Sequence, residues 1–364
     1  MVRGKNREFA GADLPVPERI RGAWQGRISG CLLGKPVEVL SFRQGRGGLE
    51  SYLREAGAFP LRDYVPLIEG TLAARLGRAC CRGHIARAEP DDDINYTVLA
   101  LLLLEDRGAD MCTEDVARAW LRLLPAGTTW TAEREAYRVL LDNMADEFVN
   151  GEPPGFDLAL CSDNAYNEWI GAQIRADLYG WVSPGRPALA ADLATRDASL
   201  SHRGEGVHGA AFIAALGAAI PISRDLAEAT DIALRFIPPD SAAASAVRFG
   251  RGLTGAGEAV DRLHAEFEDL SPVHTLNNLA LVVWALCSFE DDFSAAIGNA
   301  VSAGWDTDCN GATVGGLLGL TGKPIPEAWT LPWRGRVALN LAGYSELPLD
   351  DLVDRTLAVA RTLQ

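Results

Sequence analysis

The strongly apolar runs of the sequence are short. Its strongest runs, VLALLLL at 98–104 and LALVVWALC at 279–287, are far shorter than the roughly 20 residues that a membrane helix needs. The segment MVRGKNREFAGADLPVPERI has no continuous apolar stretch after its basic residues, unlike a secretory signal. We therefore expect a cytoplasmic protein without a membrane partner.

The sequence also lacks a surplus of basic residues and a disulfide pattern. Its formal net charge is -15, which argues against nucleic-acid binding through a broad basic surface. The seven cysteines are an odd number in a chain of 364 residues, too large to depend on disulfides, and only Cys80 and Cys81 lie close together. Reduced thiols are expected, as in cytoplasmic proteins. A locally bound anion, or a cation held by carboxylates, is compatible with this charge.

Alternating, strand-like patterns are scarce, and apolar residues recur mostly at helical spacing. They lie three and four residues apart in the segments 115–124, 131–149, 189–200, 208–220, 225–237 and 291–304. No long linker, low-complexity tract or tandem repeat interrupts them. With 48% hydrophobic residues, the chain can bury a sizeable core. The sequence predicts one compact all-α domain over residues 1–364.

Glycines recur every four residues in two segments. One set stands at 22, 26, 30 and 34, and the other at 311, 315 and 319. This spacing places each set along one helix face, although a glycine inside a helix costs roughly 1 kcal/mol against alanine. Two compatible interpretations follow. The faces pack tightly against neighbouring helices, and the two helices form the floor of one site.

Two clusters of aspartates each precede a helical segment. Asp91, Asp92 and Asp93 stand in EPDDDINYT, while Asp306 and Asp308 stand in GWDTDCNGATVGG. Capping with a solvated turn is one explanation, but a single aspartate suffices to cap a helix. Carboxylate oxygens gathered without basic partners are the ligands that Mg²⁺ and Mn²⁺ prefer. The five aspartates therefore predict two divalent metal ions.

Four segments together resemble the ADP-ribosylglycohydrolase family. They are GRISGCLLGKPVE at 26–38, PDDDINYTVLAL at 90–101, RDASLSHRGEGVHGAAFIAAL at 196–216 and AVSAGWDTDCNGATVGGLLG at 300–319. The resemblance covers residues 18 to 325, roughly. It implies an all-α fold with a binuclear Mg²⁺ or Mn²⁺ centre that holds a water and the ribose hydroxyls. It also implies hydrolysis of the bond at the anomeric carbon of ADP-ribose, on a modified target or in a small molecule.

The resemblance assigns roles to individual residues. The implied metal ligands are Asp91, Asp92, Asp93, Asp306, Asp308 and Cys309. Asp91 stands where a threonine is usual in the family, and Cys309 replaces a hydroxyl residue, although a thiol is a poor ligand for Mg²⁺. Cys31 stands where many members have an aspartate. Glu38 matches an acidic residue that some members use in catalysis, and the proton acceptor is either Glu38 or a metal-site aspartate such as Asp92 or Asp308.

Five further residues are predicted to lie near the substrate: Gly171, Arg175, His202, Asn277 and Trp305. Gly171 and Arg175 end NAYNEWIGAQIR, which matches a glycine-rich loop that lies along the diphosphate in many members. Earlier glycines of that loop are replaced here by Glu168, Trp169 and Ile170. Because glycines let backbone N–H groups approach a phosphate closely, their loss indicates a changed diphosphate site. For His202, Asn277 and Trp305 a structural role is the alternative.

The sequence therefore predicts a metal-dependent glycosidase that cleaves an N- or O-glycosidic bond of ADP-ribose or a related ribosyl compound. One alternative is a nucleoside-type ribosyl hydrolase that acts on a small molecule. Another is a non-catalytic relative that binds ADP-ribose or a nucleoside. The sequence leaves the aglycone, the choice between Mg²⁺ and Mn²⁺ and the oligomeric state open.

Overall fold

Helices make up most of the protein. The computed structural model describes residues 16–143 and 145–363. Its α-helices are, in chain order, α1 (Pro17–Gly34), α2 (Glu38–Glu55), α3 (Leu72–Leu76), α4 (Asp92–Arg107), α5 (Thr113–Leu123), α6 (Thr131–Asp142), α7 (Ala145–Val149), α8 (Gly171–Ile174), α9 (Asp177–Trp181), α10 (Pro187–Ala198), α11 (Gly204–Ala219), α12 (Leu226–Ala233), α13 (Ala242–Gly252), α14 (Ala259–Glu266), α15 (Thr275–Ser288), α16 (Phe293–Ser302), α17 (Thr307–Gly319), α18 (Glu327–Thr330) and α19 (Leu349–Thr362). Short 3₁₀ turns lie at Arg78–Cys80, Gly108–Asp110, Ala126–Thr128, Leu158–Ser162, Ile220–Ile222 and Leu234–Phe236.

One β-hairpin departs from the all-α prediction. Strands β1 (Arg336–Leu341) and β2 (Tyr344–Pro348) pair antiparallel, with Val337 opposite Leu347. Gly343 takes a positive φ of 83° in the turn between them, a conformation that glycine adopts without strain. The predicted helical fold in one compact domain is otherwise confirmed for the residues that the structure describes. The segment predicted as helical at 131–149 forms two helices, α6 and α7.

The two glycine-striped helices, α1 and α17, pack against each other. They run antiparallel, so that Gly26 meets Gly315 and Gly30 meets Gly311. A Cβ atom built at Gly30 would lie 1.9 Å from the carbonyl oxygen of Gly311, and one built at Gly26 equally close to that of Gly315. Backbones can approach this closely only where no Cβ stands between them. At the end of this contact Gly34 packs against the start of α17, so the interpretation of the stripes as tight helix packing holds.

The most apolar helices fill the interior. The segment Gly204–Ile222, which contains α11, is long and apolar enough to cross a membrane by length and composition, but 72% of that window is buried inside the fold. It packs against α9, α10 and α12. This burial on all sides explains why α11 has no polar face. The shorter apolar helix α15 packs in the same way on α13.

Candidate active site

The two aspartate clusters meet because the helices that carry them begin at the same place. Asp91 is the N-cap of α4, and its side chain accepts a hydrogen bond from the Asp93 backbone N–H at 3.1 Å. Asp306 immediately precedes α17, and Asp308 lies in its first turn. Gly34, the last residue of α1, lies against Thr307 and Asp308. The N-terminal ends of α4 and α17, which carry partial positive charge, therefore lie at one group of carboxylates. Capping explains Asp91 but not the other carboxylates.

These carboxylates line a cavity of about 720 Å³. Its acidic lining residues are Glu38, Asp91, Asp92, Glu133, Asp306 and Asp308. Asp92 is partly exposed there, whereas Asp93 is fully buried behind the cavity wall. The structure thus brings the residues predicted to be catalytic, Glu38, Asp92 and Asp308, to one cavity. The cavity is large enough for a ligand of drug or nucleoside size.

Three groups of side chains are close enough to bind a metal ion. The groups are Glu38 with Asp306 and Asp308; Asp93 with Asp308 and Cys309; and Cys31 with Asp91 and Asp93. Within each group the potential ligand atoms all lie within 4.8 Å of one another. Only the first group offers oxygen atoms alone, which suits Mg²⁺ or Mn²⁺. Asp92 belongs to none of these groups.

Burial and mutual repulsion make this cluster electrostatically costly without a cation. Burial, followed by the charges of Asp308 and Asp306, raises the pKa of Glu38 well above its usual value. Burial also raises the pKa of Asp306 well above its usual value and that of Asp308 to about 6. Asp306 Oδ1 is buried and has no hydrogen-bond partner within residues 16–143 and 145–363. Such carboxylates require protons or a divalent cation nearby, so the residues present fit a metal ion.

Two basic residues enter the cluster, which sequence reasoning did not foresee. Lys35 Nζ donates to the carboxylate of Asp91 and, at 2.7 Å, to the carbonyl oxygen of Pro90. Although burial alone would raise it, this contact holds the pKa of Asp91 below its usual value. The expectation that the aspartates lack basic partners is therefore wrong for Asp91. Lys35 directly follows the last striped glycine, a position that could have drawn attention to it.

Arg27 is the second buried cation. Its Nη2 lies 3.1 Å from Asp93 Oδ1, and its Nη1 lies 3.0 Å from Asp177 Oδ2. All three side chains are fully buried. The absence of basic partners is therefore a wrong expectation for Asp93 as well. The sequence did offer one indication of these ion pairs. Arg27 stands among small residues on a helix face, and an arginine is rarely buried without an anionic partner.

The segment that resembles a diphosphate-binding loop of the family does reach the cavity. Trp169, Ile170 and Gly171 all line it. A Cβ atom at Gly171 would lie 2.1 Å from Glu133 Oε1, so glycine is needed there to admit the Glu133 side chain. Sequence reasoning missed Glu133, which shares the buried face of the amphipathic helix α6 with Ala136, Tyr137 and Leu140. A carboxylate at helical spacing with these apolar residues was the signal that could have found it.

Arg175 and His202 lie behind the cavity wall and do not line it. Arg175 Nη1 donates to Glu133 Oε1 at 2.7 Å, and its other nitrogens bind Asp197 and Ser201. His202 Nδ1 lies 2.8 Å from Ser201 Oγ. Burial and the nearby Arg175 charge lower the pKa of His202 well below its usual value, so the ring is neutral. These contacts support the wall rather than reach a ligand.

Asn277 and Trp305 also lie outside the cavity lining. Asn277 Nδ2 donates to the Ser271 carbonyl oxygen at 3.3 Å. The Trp305 ring stacks on His264, with centroids 4.3 Å apart, and is 8% exposed. The structural alternatives describe the geometry of both residues better than substrate contact does.

The neighbouring Asn278 braces the second aspartate turn. Its Oδ1 accepts from Asn310 Nδ2 at 2.7 Å and from the Asp306 N–H at 3.4 Å. Both asparagines are fully buried. The hydrogen bond from the Asp306 N–H holds the backbone of this turn against α15.

Fold and site together define a class: a mostly helical protein with buried acidic and cysteine clusters able to bind metal around one cavity. The chain belongs to the ADP-ribosylglycohydrolase family, whose sequence profile matches residues 13–361. The resemblance stated from the four segments is thereby confirmed. Membership supports a hydrolase for ADP-ribose-type substrates.

Similarity to solved structures agrees at the level of the fold. One solved protein, described as an "ADP-ribosylglycohydrolase-related protein complex", is 21% identical with a TM-score of 0.61. The alignment covers 96% of this chain and 99% of that chain. At this identity the likeness establishes the fold alone. No curated protein matches the chain significantly.

Proposed function

We propose that the protein is a metal-dependent hydrolase that cleaves a glycosidic bond at the anomeric carbon of a ribosyl compound. One observation carries this proposal. Carboxylates from distant parts of the chain, Glu38, Asp92 and Asp308, line a single cavity in a protein of the ADP-ribosylglycohydrolase family. Paired carboxylates on opposite sides of a sugar are the usual means of glycoside hydrolysis.

Glu38, Asp306 and Asp308 would hold the divalent ion. Bound there, the ion supplies the positive charge that orients a ribose diol and lowers the pKa of a water. Glu38 and Asp92 both reach the cavity, and either carboxylate can accept the proton of the attacking water. The surrounding negative charge stabilises the positive charge that develops at the anomeric carbon.

The cavity lining favours a substrate without a diphosphate. Lys35 is the one basic side chain among the described lining residues, and it is bonded to Asp91. Arg175, predicted to lie beside the phosphates, is bonded to Glu133 and Asp197 instead. Beyond the bound ion, a diphosphate would meet six acidic side chains and no unpaired basic side chain among the described lining residues, although a desolvated charge needs an opposite partner. This observation supports the nucleoside-type alternative over ADP-ribose itself.

Aromatic side chains suit the rest of such a substrate. Phe42, Trp130 and Trp169 line the same cavity, and Trp130 is 57% exposed. Flat rings stack well on a nucleobase, which contributes about 1–3 kcal/mol per base in single-stranded nucleic-acid complexes. We therefore propose a ribosyl compound with a flat, uncharged or cationic aglycone.

The test is a substrate comparison with the purified protein and Mg²⁺ or Mn²⁺. ADP-ribosylated arginine and serine would be incubated beside simple ribonucleosides, with released sugar measured by chromatography. Ribose release from a nucleoside at a higher kcat/KM than ADP-ribose release is the expected result. No release from any substrate would favour the non-catalytic relative instead, and equilibrium binding of the same compounds would then show whether one still binds.

A further inference from the structure

Lys35 already places a positive charge inside the carboxylate cluster. Its Nζ contacts two oxygen atoms, the carboxylate of Asp91 and the carbonyl oxygen of Pro90. The Asp91 side chain is 4% exposed and that of Lys35 is 25% exposed. Both contacted oxygens are of the kind that a hard divalent ion uses as ligands. An ammonium group bonded to them competes directly with such an ion.

The remaining donors near Asp91 are poor ligands for a hard ion. Cys31 is fully buried and offers only a soft sulfur donor, which suits Mg²⁺ and Mn²⁺ poorly. Asp93 Oδ1 is paired with Arg27 at 3.1 Å. Every member of the group formed by Cys31, Asp91 and Asp93 is therefore either a sulfur donor or a carboxylate bonded to a cation.

The oxygen-only group differs from the group around Asp91 both in its donor atoms and in its freedom from ion pairs. Glu38, Asp306 and Asp308 offer oxygen only, and none forms an ion pair with a described residue. Asp306 is 4% exposed, yet its Oδ1 has no hydrogen-bond partner among the described residues. Asp93 Oδ2 is likewise unpartnered, but Asp93 is already paired with Arg27, whereas no described cation pairs with Asp306. The unpartnered oxygen of Asp306 therefore indicates a missing cation at this position.

We propose that this chain binds one divalent ion, at Glu38, Asp306 and Asp308, and that the Lys35 ammonium group replaces a second ion beside Asp91. The inference rests on the proposed metal-dependent function, and it departs from the two ions that the aspartate count predicts. The ammonium group offers charge and N–H donors but no open coordination position, so a ribosyl substrate would be held on this side by hydrogen bonds.

The number of bound ions tests the proposal without reference to activity. The full-length protein would be dialysed against Mn²⁺, and bound manganese measured by mass spectrometry and by electron paramagnetic resonance. We expect one Mn²⁺ per chain with the six-line spectrum of an isolated ion. Two ions per chain, or the spectrum of a spin-coupled pair, would overturn the proposal.

Substitutions then assign the effect to Lys35. The double variant Lys35→Met and Cys31→Asp removes the ammonium group and adds an oxygen donor, and it should bind a second Mn²⁺. Lys323→Met is the matched control, because Lys323 is an exposed lysine paired with Asp291 at 2.6 Å. That control should keep one ion. Circular dichroism would check that the double variant is folded. If the folded double variant still bound only one ion, Lys35 would not be what excludes the second ion.

A second variant covers the case in which the double variant does not fold. Lys35→Met alone keeps most of the aliphatic stem and should gain thermal stability from Mn²⁺ by more degrees than the Lys323→Met control does. Equal gains would contradict the proposal. One bound ion with no hydrolysis would defeat the proposed function alone, whereas two ions with full hydrolysis would defeat this inference alone.

Discussion

The substitution Gly30→Ala tests whether the close glycine contact between α1 and α17 determines the stability of the fold and the geometry of the metal site. The new Cβ would lie 1.9 Å from the Gly311 carbonyl oxygen, whereas real Cβ atoms stay at least 3.0 Å from such neighbours. The helices must therefore separate locally by at least about 1.1 Å. The atoms that are met belong to the backbone, so no side-chain rotation relieves the contact.

The expected change in the free energy of unfolding results from two opposing effects. Overpacking costs about 1–3 kcal/mol when neighbours can adjust, and this backbone contact belongs at the upper end. Alanine regains roughly 1 kcal/mol of helix propensity over glycine. We therefore expect the free energy of unfolding to fall by about 2 kcal/mol. We also expect weaker Mn²⁺ binding, because α17 carries Asp308 in its first turn.

The assay is urea unfolding with Gly252→Ala as the matched control. Gly252 is the last residue of α13, and a Cβ atom built there would have no neighbour within 4 Å. The control should be neutral or more stable by up to about 1 kcal/mol. If Gly30→Ala unfolded at the same urea concentration as Gly252→Ala, with the same Mn²⁺ affinity, the close helix contact would not control the site.

Three other predictions concern buried charges. The variant Arg27→Met should lower the free energy of unfolding by about 3–5 kcal/mol, because it leaves the Asp93 and Asp177 carboxylates buried without their cation; a change below about 1 kcal/mol in urea unfolding would contradict this. Burial and Asp91 raise the folded-state pKa of Asp308 to about 6 from its usual 3.8. The native state therefore binds more protons than the unfolded state between these values, so the metal-free protein should lose this stability as the pH rises from 4 to above 6. Asp308→Asn should remove that part of the pH dependence in thermal unfolding, and an identical profile would refute it. Mn²⁺ affinity should rise over the same pH range, because bound carboxylates must be deprotonated.

The meeting of the two aspartate clusters was predictable because each cluster and each glycine stripe had a local pattern. The spacing of Gly26 and Gly30 identified a helix face, and two acidic helix starts pointed to a common site. What the sequence could not show was the pairing of single residues. Lys35 follows a glycine stripe and Glu133 stands on an apolar helix face, but neither pattern names the partner residue, because only the packing of α1, α6 and α8 brings these side chains to the cavity.

Arg175 shows that matching a loop by sequence does not reveal the bonding partners of its residues. The match of its loop to a phosphate-binding loop placed it beside the substrate, but its guanidinium group is bonded to Glu133 and Asp197. A buried arginine must have anionic partners, and those partners lie on α6 and α10, far from it in sequence. The β1–β2 hairpin was also missed, because its two strands are short and only the turn at Gly343 marks it.

The most direct test of the account is glycoside hydrolysis by the protein and its Asp308→Asn variant, with bound Mn²⁺ measured in the same samples. Loss of residues that merely support metal ligands typically lowers activity 10- to 100-fold, so loss of a ligand itself should exceed about 100-fold. We predict that the variant loses both the ion and hydrolysis while remaining folded by circular dichroism. A folded variant that keeps its manganese and hydrolyses a ribosyl substrate at the unsubstituted rate would contradict the metal-dependent site.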